Sequence, residues 1–335
     1  MENSYVKSFP DLMSDKKVMY VHGFGSSGQS GTVTKISQLL CNAQVIAPDL
    51  PIHPEEAMAL LRNLCETEQP DLIIGTSMGA MYTEMLYGYD RILMNPAFTI
   101  GENILKNNML GKVTFMNPRR DGVQEFMMTK QLQAEYQAIT EQCFAKSNDK
   151  DEQNRVWGLF GLEDTTVNTY DLFASHYRNA LHFHGEHRMN DSTLLHSVMP
   201  VVRWIDDRQN GRQRNIIYIC IEDTLERDGK PQPSMLKAYR YLLEWYDIFI
   251  VAAAPTNDIE YGKRMQEWTF ENLGVAAYNR LILTNRKDLL YGDYLIDRRD
   301  DNGSTDFMST RIEFGSDTFK TWDDIIEYFS RLDGQ

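Results

Sequence analysis

The residues best suited to covalent chemistry lie in three short stretches. "DLIIGTSMGAMY", Asp71 to Tyr82, carries Ser77 between Gly75 and Gly79. The pattern G-x-S-x-G suits a serine held on a sharp bend between a strand and a helix, where a side chain at either flank would clash. "YVHGFGSSG", Tyr20 to Gly28, ends an apolar run in His-Gly and a glycine-rich loop. Backbone N–H groups of Phe24, in that loop, and of Met78, after the serine, are candidates to hold the oxyanion of a tetrahedral intermediate. Farther on, "GLFGLEDTTVN" places Asp164 just past a predicted strand, and "HFHGEHRMND" places His187 after Gly185-Glu186. A serine, an imidazole to take its proton and a carboxylate to orient that imidazole are the parts of acyl transfer through an acyl-enzyme.

Each of these residues also has a plainer reading. Ser77 could cap the helix it precedes. Glu163 and Asp164 are neighbours and could exchange roles. His182, His184 and His187 suggest a metal cluster, but no Cys or carboxylate pair completes a site at zinc spacing, and no metal or cofactor is expected. His22 reads as structural, packing under the glycine-rich loop. Ser26 and Ser27 fit either substrate binding or the start of the next helix.

The elements that must position these residues alternate in a regular way. "KVMYVHGFG", "AQVIAPDLP", "DLIIGTS", "RILMNPA" and "RVWGLFG" read as buried strands followed by loops, while "TVTKISQLLCN" and "PEEAMALLRNLCET" have helical spacing. That alternation predicts an α/β fold with a parallel sheet. An insert of about residues 101–151 separates the fourth and fifth strands, and its core "VQEFMMTKQLQAEYQAITEQCFAK" reads as helical and Met-rich, either a helical lid or an extra surface helix. The polar run "DDRQNGRQRN", Asp206 to Asn215, reads as a linker. The β/α alternation restarts after it, predicting two domains, 1–208 and 214–335.

Composition narrows the function classes. A chain of 335 residues with 42% hydrophobic residues is long and apolar enough for two cores. Its formal net charge of −14 argues against a nucleic-acid or anionic-membrane partner, since phosphate binding needs clustered Lys and Arg. No apolar run reaches the roughly 18 residues of a membrane span, and the first residues lack a signal-peptide core. Cys41, Cys65, Cys143 and Cys220 are scattered without C-x-x-C spacing. Together these features predict a soluble, cytoplasmic protein with reduced thiols.

Residues 17 to about 205 resemble the α/β-hydrolase superfamily, and within it the YqiA-type bacterial esterases. The resemblance rests on "HGFGSS", "APDLPIHPEEAMALL", "GTSMGA", "MNPA", Asp164 and "GEHRM". It implies Ser77 as nucleophile, His187 as general base and acid, and Asp164 as its orienter, in the chain order usual for that fold. The implied substrate is a small-molecule ester or thioester.

Residues 214 to about 332 resemble the haloacid dehalogenase superfamily, in particular its 5'(3')-deoxyribonucleotidase branch, and imply a small Rossmann-like domain. The matching stretches are "IIYICIEDTL", "IVAAAPTND", "TNRKDLLYGDYLIDRR" and "TWDDIIEYF". The site this resemblance implies is degenerate. Cys220 stands where the nucleophilic aspartate belongs, Glu222 where the acid/base aspartate belongs, and Ala252 where a Ser or Thr would bind phosphate. Lys287 and Asp297 are kept, while Arg298 takes the place of a second metal-binding acid. A thiol is a poor ligand for Mg²⁺, which prefers oxygen. The expectation is an inactive phosphatase-like domain, left with packing, homo-oligomerisation or ligand binding. Two alternatives stay open: a non-catalytic ligand-binding or scaffold protein, and weak phosphatase activity through Glu222, Lys287 and Asp297.

Overall fold

The computed structural model describes residues 7–332. The chain divides into two compact units, Met1–Asn210 and Gly211–Gln335.

The first unit begins β1 (Lys17–Val21), α1 (Gly31–Leu39), β2 (Gln44–Ile46), α2 (Pro54–Glu68), β3 (Leu72–Thr76), α3 (Met78–Glu84) and β4 (Arg91–Met94). An insert follows, made of α4 (Ile100–Lys106), the antiparallel pair β5 (Gly111–Thr114) and β6 (Glu125–Met128), and α5 (Lys130–Thr140). The unit closes with α6 (Lys150–Arg155), β7 (Val156–Gly161), α7 (Tyr170–Ala174), β8 (Ala180–Phe183), α8 (Asp191–Thr193), a π-helical turn (Leu194–Val198) and α9 (Met199–Asn210). Its main sheet has the order β2-β1-β3-β4-β7-β8, parallel throughout. A sheet covered on both faces needs apolar side chains on both, which is why "VMYV", "LIIG" and "ILM" are continuous apolar or small runs with little polar alternation.

Two expectations are corrected here. The insert core is not helical from its start: Glu125–Met128 is a strand, and the helix begins at Lys130. Phe126, Met127 and Met128 fit either periodicity, and pairing with β5 decides the outcome. The polar run from Asp206 is not wholly a linker either, because α9 continues to Asn210. Lys16 reaches the fully buried Asp206 at 2.7 Å, and Gln209 reaches Asp90 at 2.7 Å. Those partners hold polar residues in a helix that local composition reads as a linker.

The second unit runs β9 (Ile216–Cys220), a small hairpin of β10 (Glu226–Arg227) and β11 (Lys230–Pro231), α10 (Met235–Leu242), β12 (Asp247–Ala252), α11 (Tyr261–Leu273), β13 (Leu281–Leu283), β14 (Tyr294–Asp297), β15 (Thr310–Glu313) and α12 (Trp322–Leu332). The sheet order β13-β12-β9-β14-β15 is all parallel. Its departure from a doubly wound plan lies in where the helices go. α10, α11 and α12 share one core with Ile217, Ile219, Ile248 and Ile250. On the other face Tyr218, Cys220, Val251 and Leu295 pack under Phe307 and Leu290, which come from connecting segments. The stretch from Leu283 to Tyr294 forms only a single 3₁₀ turn at Lys287–Leu289, so no α-helix covers that face there.

Candidate active site

Ser77 follows β3 directly, with φ 54° and ψ −119°. A non-glycine residue with positive φ and this ψ is strained and persists only where its surroundings fix it. Ser77 N–H donates to Met94 O at 2.9 Å, and Ala97 N–H donates to Ser77 O at 3.0 Å. The flanking glycines are needed for space. A Cβ on Gly79 would lie 2.2 Å from Val21 O and 2.4 Å from His22 O. On Gly75 it would lie 2.3 Å from Thr83 Oγ1 and 2.7 Å from the Ala80 Cα. The bend therefore packs α3 against the end of β1 and lifts the serine hydroxyl clear. Ser77 is also the residue preceding α3, yet its side chain makes no capping bond.

The loops after β7 and β8 deliver the other two groups. His187 Nε2 lies 3.0 Å from Ser77 Oγ, and His187 Nδ1 lies 2.7 Å from Asp164 Oδ2. An acceptor at Nδ1 fixes the proton there and leaves Nε2 free to accept from the serine hydroxyl. The Asp164 side chain is 1% exposed and that of His187 is 23% exposed. Asp164 Oδ1 also accepts from the amides of Thr166 at 2.7 Å and Val167 at 3.0 Å. Burial alone would raise the Asp164 pKa, but His187 and those amides outweigh it and hold the carboxyl below its usual value. Glu163 faces elsewhere. Its carboxylate accepts from the Gly185 amide and lies 3.3 Å from His184 Nδ1, so it shapes the histidine loop without touching His187. His182 stacks on Tyr170 with centroids 3.8 Å apart. The three histidines thus have separate partners.

The glycine-rich loop after β1 passes beside the serine: a Cβ on Gly23 would lie 3.2 Å from Ser77 Cβ and 3.8 Å from its Oγ. Among the described residues, neither the Phe24 nor the Met78 N–H donates a hydrogen bond. Beneath the loop, buried His22 accepts from Leu50 N–H at Nε2 (3.1 Å), so its Nδ1–H donates to Gly23 O at 2.9 Å. Burial pushes the His22 pKa down, which favours this neutral form.

The loop is also held from above by the insert. Met116 N–H donates to Gly25 O at 2.7 Å, and Ser27 Oγ donates to Pro118 O at 2.6 Å. Asn117 Nδ2 donates to Ser26 Oγ at 3.1 Å, and Arg119 reaches Leu50 O at 3.0 Å. The Phe24 ring meets Phe126 and Tyr136 edge to face, at 5.7 and 6.1 Å. Ser26 and Ser27 are therefore occupied as ties between loop and insert, not as caps of α1, whose N-cap is Ser30. The sequence reading missed this latch because its two halves lie 91 residues apart. It also missed Asn95, for which the only signal was an amide residue at the end of the strand in "MNPA".

The residues singled out in the second unit converge at the carboxyl ends of β9, β12 and β14. Cys220 is fully buried, and burial first, then the Asp297 charge, pushes its thiol pKa well up. Lys287 Nζ lies 2.7 Å from Asp297 Oδ2 and 3.2 Å from Asp301 Oδ1. Burial opposes the Lys287 ammonium, yet the neighbouring Asp297 and Asp301 carboxylates help to raise its pKa on balance. Glu222 accepts from Ala253 N–H at 2.8 Å and from the Tyr261 hydroxyl, beside buried Ala252. Arg298 donates its amide to Thr224 Oγ1 at 3.0 Å, and its guanidinium lies where a side chain on Gly315 would be.

One curated protein, "Putative 5'(3')-deoxyribonucleotidase" of Vibrio phage KVP40, is 36% identical over 101 residues, which are 30% of this chain and 59% of that protein. The chain thus spans about 59% of the length of the curated relative it matches. Among solved structures, an extracellular α/β-hydrolase from a Paenibacillus species is 12% identical, covers 58% of this chain and 98% of its own, and has a TM-score of 0.36. The thioesterase domain from the curacin biosynthetic pathway is 14% identical over 59% of this chain and 92% of its own, at 0.34. Est1E from Butyrivibrio proteoclasticus is 15% identical over 63% and 90%, at 0.38. Residues 17–191 match the family described as "Uncharacterised protein family (UPF0227)". That match takes in more than half of the 335 residues, and the chain belongs to this family, the YqiA-like group that its "HGFGSS" and "GTSMGA" segments resemble.

Proposed function

We propose that the first unit is a serine hydrolase acting on a small-molecule ester or thioester through an acyl-enzyme. The observation that carries this reading is the connected set Ser77 Oγ, His187 Nε2 (3.0 Å) and His187 Nδ1 to Asp164 Oδ2 (2.7 Å), built on a positive-φ serine. Ser77 Oγ attacks the carbonyl carbon while His187 Nε2 takes its proton. Asp164 keeps the imidazole in the required tautomer and stabilises the imidazolium. The oxyanion binds the Phe24 and Met78 amides, and His187 then protonates the leaving alcohol or thiol. Water, deprotonated by the same nitrogen, releases the acid and restores the serine.

In this reading the second unit does not hydrolyse phosphate esters. Cys220 is a protonated, buried thiol, and Asp297 is already engaged by Lys287. The four thiols are free, in keeping with a reducing compartment such as the cytosol. Among the described residues no helix is long and apolar enough to cross a membrane.

The test is hydrolysis of p-nitrophenyl and CoA esters of rising chain length by wild type and by Ser77→Ala, with fluorophosphonate labelling alongside. Serine-dependent turnover and labelling at Ser77 are expected. Absence of both would replace hydrolysis with a binding role.

A further inference from the structure

We infer that Asn95 is a positioning residue that ties the loops carrying Ser77, Asp164 and His187 into one unit; the inference rests on the hydrolase reading above. Asn95 lies at the end of β4, between the strand that leads to Ser77 and the strand that leads to Asp164. It has φ 43° and is 2% exposed. Asn is one of the few residues that tolerates positive φ, which turns the chain out of β4.

Both ends of its carboxamide are engaged. Nδ2 donates to Glu186 O and His187 O, each at 3.1 Å, and Oδ1 accepts from Gly161 N–H at 2.8 Å. One end of the side chain thus holds two consecutive carbonyls of the histidine loop, His187's own included. The other end holds the last residue of β7, three positions before Asp164. The backbone around it holds the serine: Met94 O accepts from Ser77 N–H, and Ala97 N–H donates to Ser77 O. Pro96 O accepts from Thr169 Oγ1 at 2.6 Å, which anchors the far end of the Asp164 loop. The segment Met94–Ala97 therefore touches all three arms.

Only an amide of this length fits the pattern, because two donors must meet two carbonyls while one acceptor meets an amide. The Asn95→Asp side chain has nearly the same shape and would still accept from Gly161, but it would present a carboxylate to two carbonyl oxygens. The histidine loop would be pushed away from Ser77. A displacement on the order of 1 Å in such a site costs about 100-fold in rate.

The experiment compares Asn95→Asp and Asn95→Gly, the second keeping the positive φ, on p-nitrophenyl butyrate in the full chain, each in the wild-type and His187→Ala backgrounds. With His187 present, kcat should fall about 100-fold in each variant with KM changed far less. With His187 absent, the same substitutions should leave the residual rate nearly unchanged, because Asn95 acts through the imidazole. Equal losses in both backgrounds would reduce Asn95 to a general fold residue, and no loss would remove it from the site.

A readout independent of turnover separates this inference from the hydrolase reading. The His187 Nδ1 proton, assigned by its absence in His187→Ala, should resonate far downfield in wild type and be lost or shifted upfield in Asn95→Asp. Its persistence unchanged in Asn95→Asp would overturn the positioning role whether or not any ester is cut. Failure of wild type to turn over esters or to be labelled at Ser77 would overturn the hydrolase reading instead, leaving the proton to report on Asn95.

Discussion

At the carboxyl end of β3, Ser77 is held in strained backbone with its hydroxyl against His187, and the Phe24 and Met78 amides beside it engage nothing among the described residues. At the carboxyl end of β9, Cys220 is sealed from solvent and the polar groups around it are paired with one another: Lys287 with Asp297 and Asp301, Glu222 with Ala253 N–H and Tyr261. Parallel α/β sheets place ligands at this end of their strands, so both positions are where a site belongs. The difference lies in what is left unsatisfied. A site awaiting a substrate keeps donors aimed at atoms not yet present, whereas a closed polar cluster stabilises its own unit and has little left to offer a ligand.

The largest effect that separates the two regions is expected at Ser77. Ser77→Ala should lower kcat on a p-nitrophenyl ester by about 10⁴-fold or more, because removal of a triad nucleophile leaves only binding and the oxyanion donors. Cys220→Ala should leave that rate unchanged. Loss of activity in Cys220→Ala, with Ser77→Ala still active, would reverse the assignment of the two units.

The next test sharpens the choice between adjacent carboxylates. Asp164→Asn should cost about 10⁴-fold in kcat, since an amide acceptor no longer fixes the imidazole tautomer. Glu163→Gln should cost a small fraction of that, because among the described residues the Glu163 carboxylate meets His184 and the Gly185 amide and not His187. Comparable losses in both variants would mean that the loop as a whole, not the Asp164–His187 bond, sets the rate.

In the second unit the effect should fall on stability. Asp297→Ala leaves the buried Lys287 ammonium with the exposed Asp301 carboxylate, 3.2 Å away, as its remaining partner among the described residues, and breaking a buried pair typically costs about 3–5 kcal/mol. Calorimetry should show the unfolding transition of this unit at lower temperature, with ester hydrolysis unchanged below it. A Lys287→Met, Asp297→Leu double variant, which removes both charges together, should recover much of the loss. No recovery would mean that the charges do more than satisfy each other.

How much of this was legible in the sequence depends on the range of the interaction. The strand runs, the G-x-S-x-G bend and the His-Gly loop are local patterns, and the residues they single out are the ones the structure brings together. The adjacent Glu163 and Asp164 could be separated only by which way each side chain points, which two more loops decide. "VQEFMM" satisfies strand and helix spacing alike, so its state rests on β5. The ties from Ser26 and Ser27 to the insert, and from Asn95 to Glu186 and His187, span 91 and 92 residues. No local pattern encodes a partner at that distance. The polar end of α9 was misread for the same reason, since Lys16 and Asp90 complete it.

The latch over the glycine-rich loop supplies a smaller effect. Ser27→Ala removes the donor to Pro118 O and should cost about 1–3 kcal/mol, as for other buried polar groups left unpaired. Because the loop carries Phe24, kcat should fall with stability, and fluorophosphonate labelling should slow in step. A stability loss with unchanged kcat would show that the insert merely covers the loop.

The smallest effect is set by pH beneath that same loop. Buried His22 must stay neutral for Nε2 to accept from Leu50 N–H, and burial holds its folded pKa below the unfolded value of about 6.5. Between those two values the unfolded chain binds the extra proton, so stability rises with pH across the window and falls as the medium is acidified from about 6.5 toward the folded value. The slope contributed is at most about 1.4 kcal/mol per pH unit. His22→Gln removes the titrating group and should flatten the pH dependence of the melting temperature of the first unit between pH 7 and pH 5, whatever its effect on the midpoint at pH 7. An unchanged slope would mean that other groups titrate in this window, with His182, whose pKa burial also lowers, as the next candidate. The second unit offers a partial control: among its described residues there is no histidine, so its transition should shift less on the same acidification, with Glu226, whose pKa burial raises, as the group to titrate first.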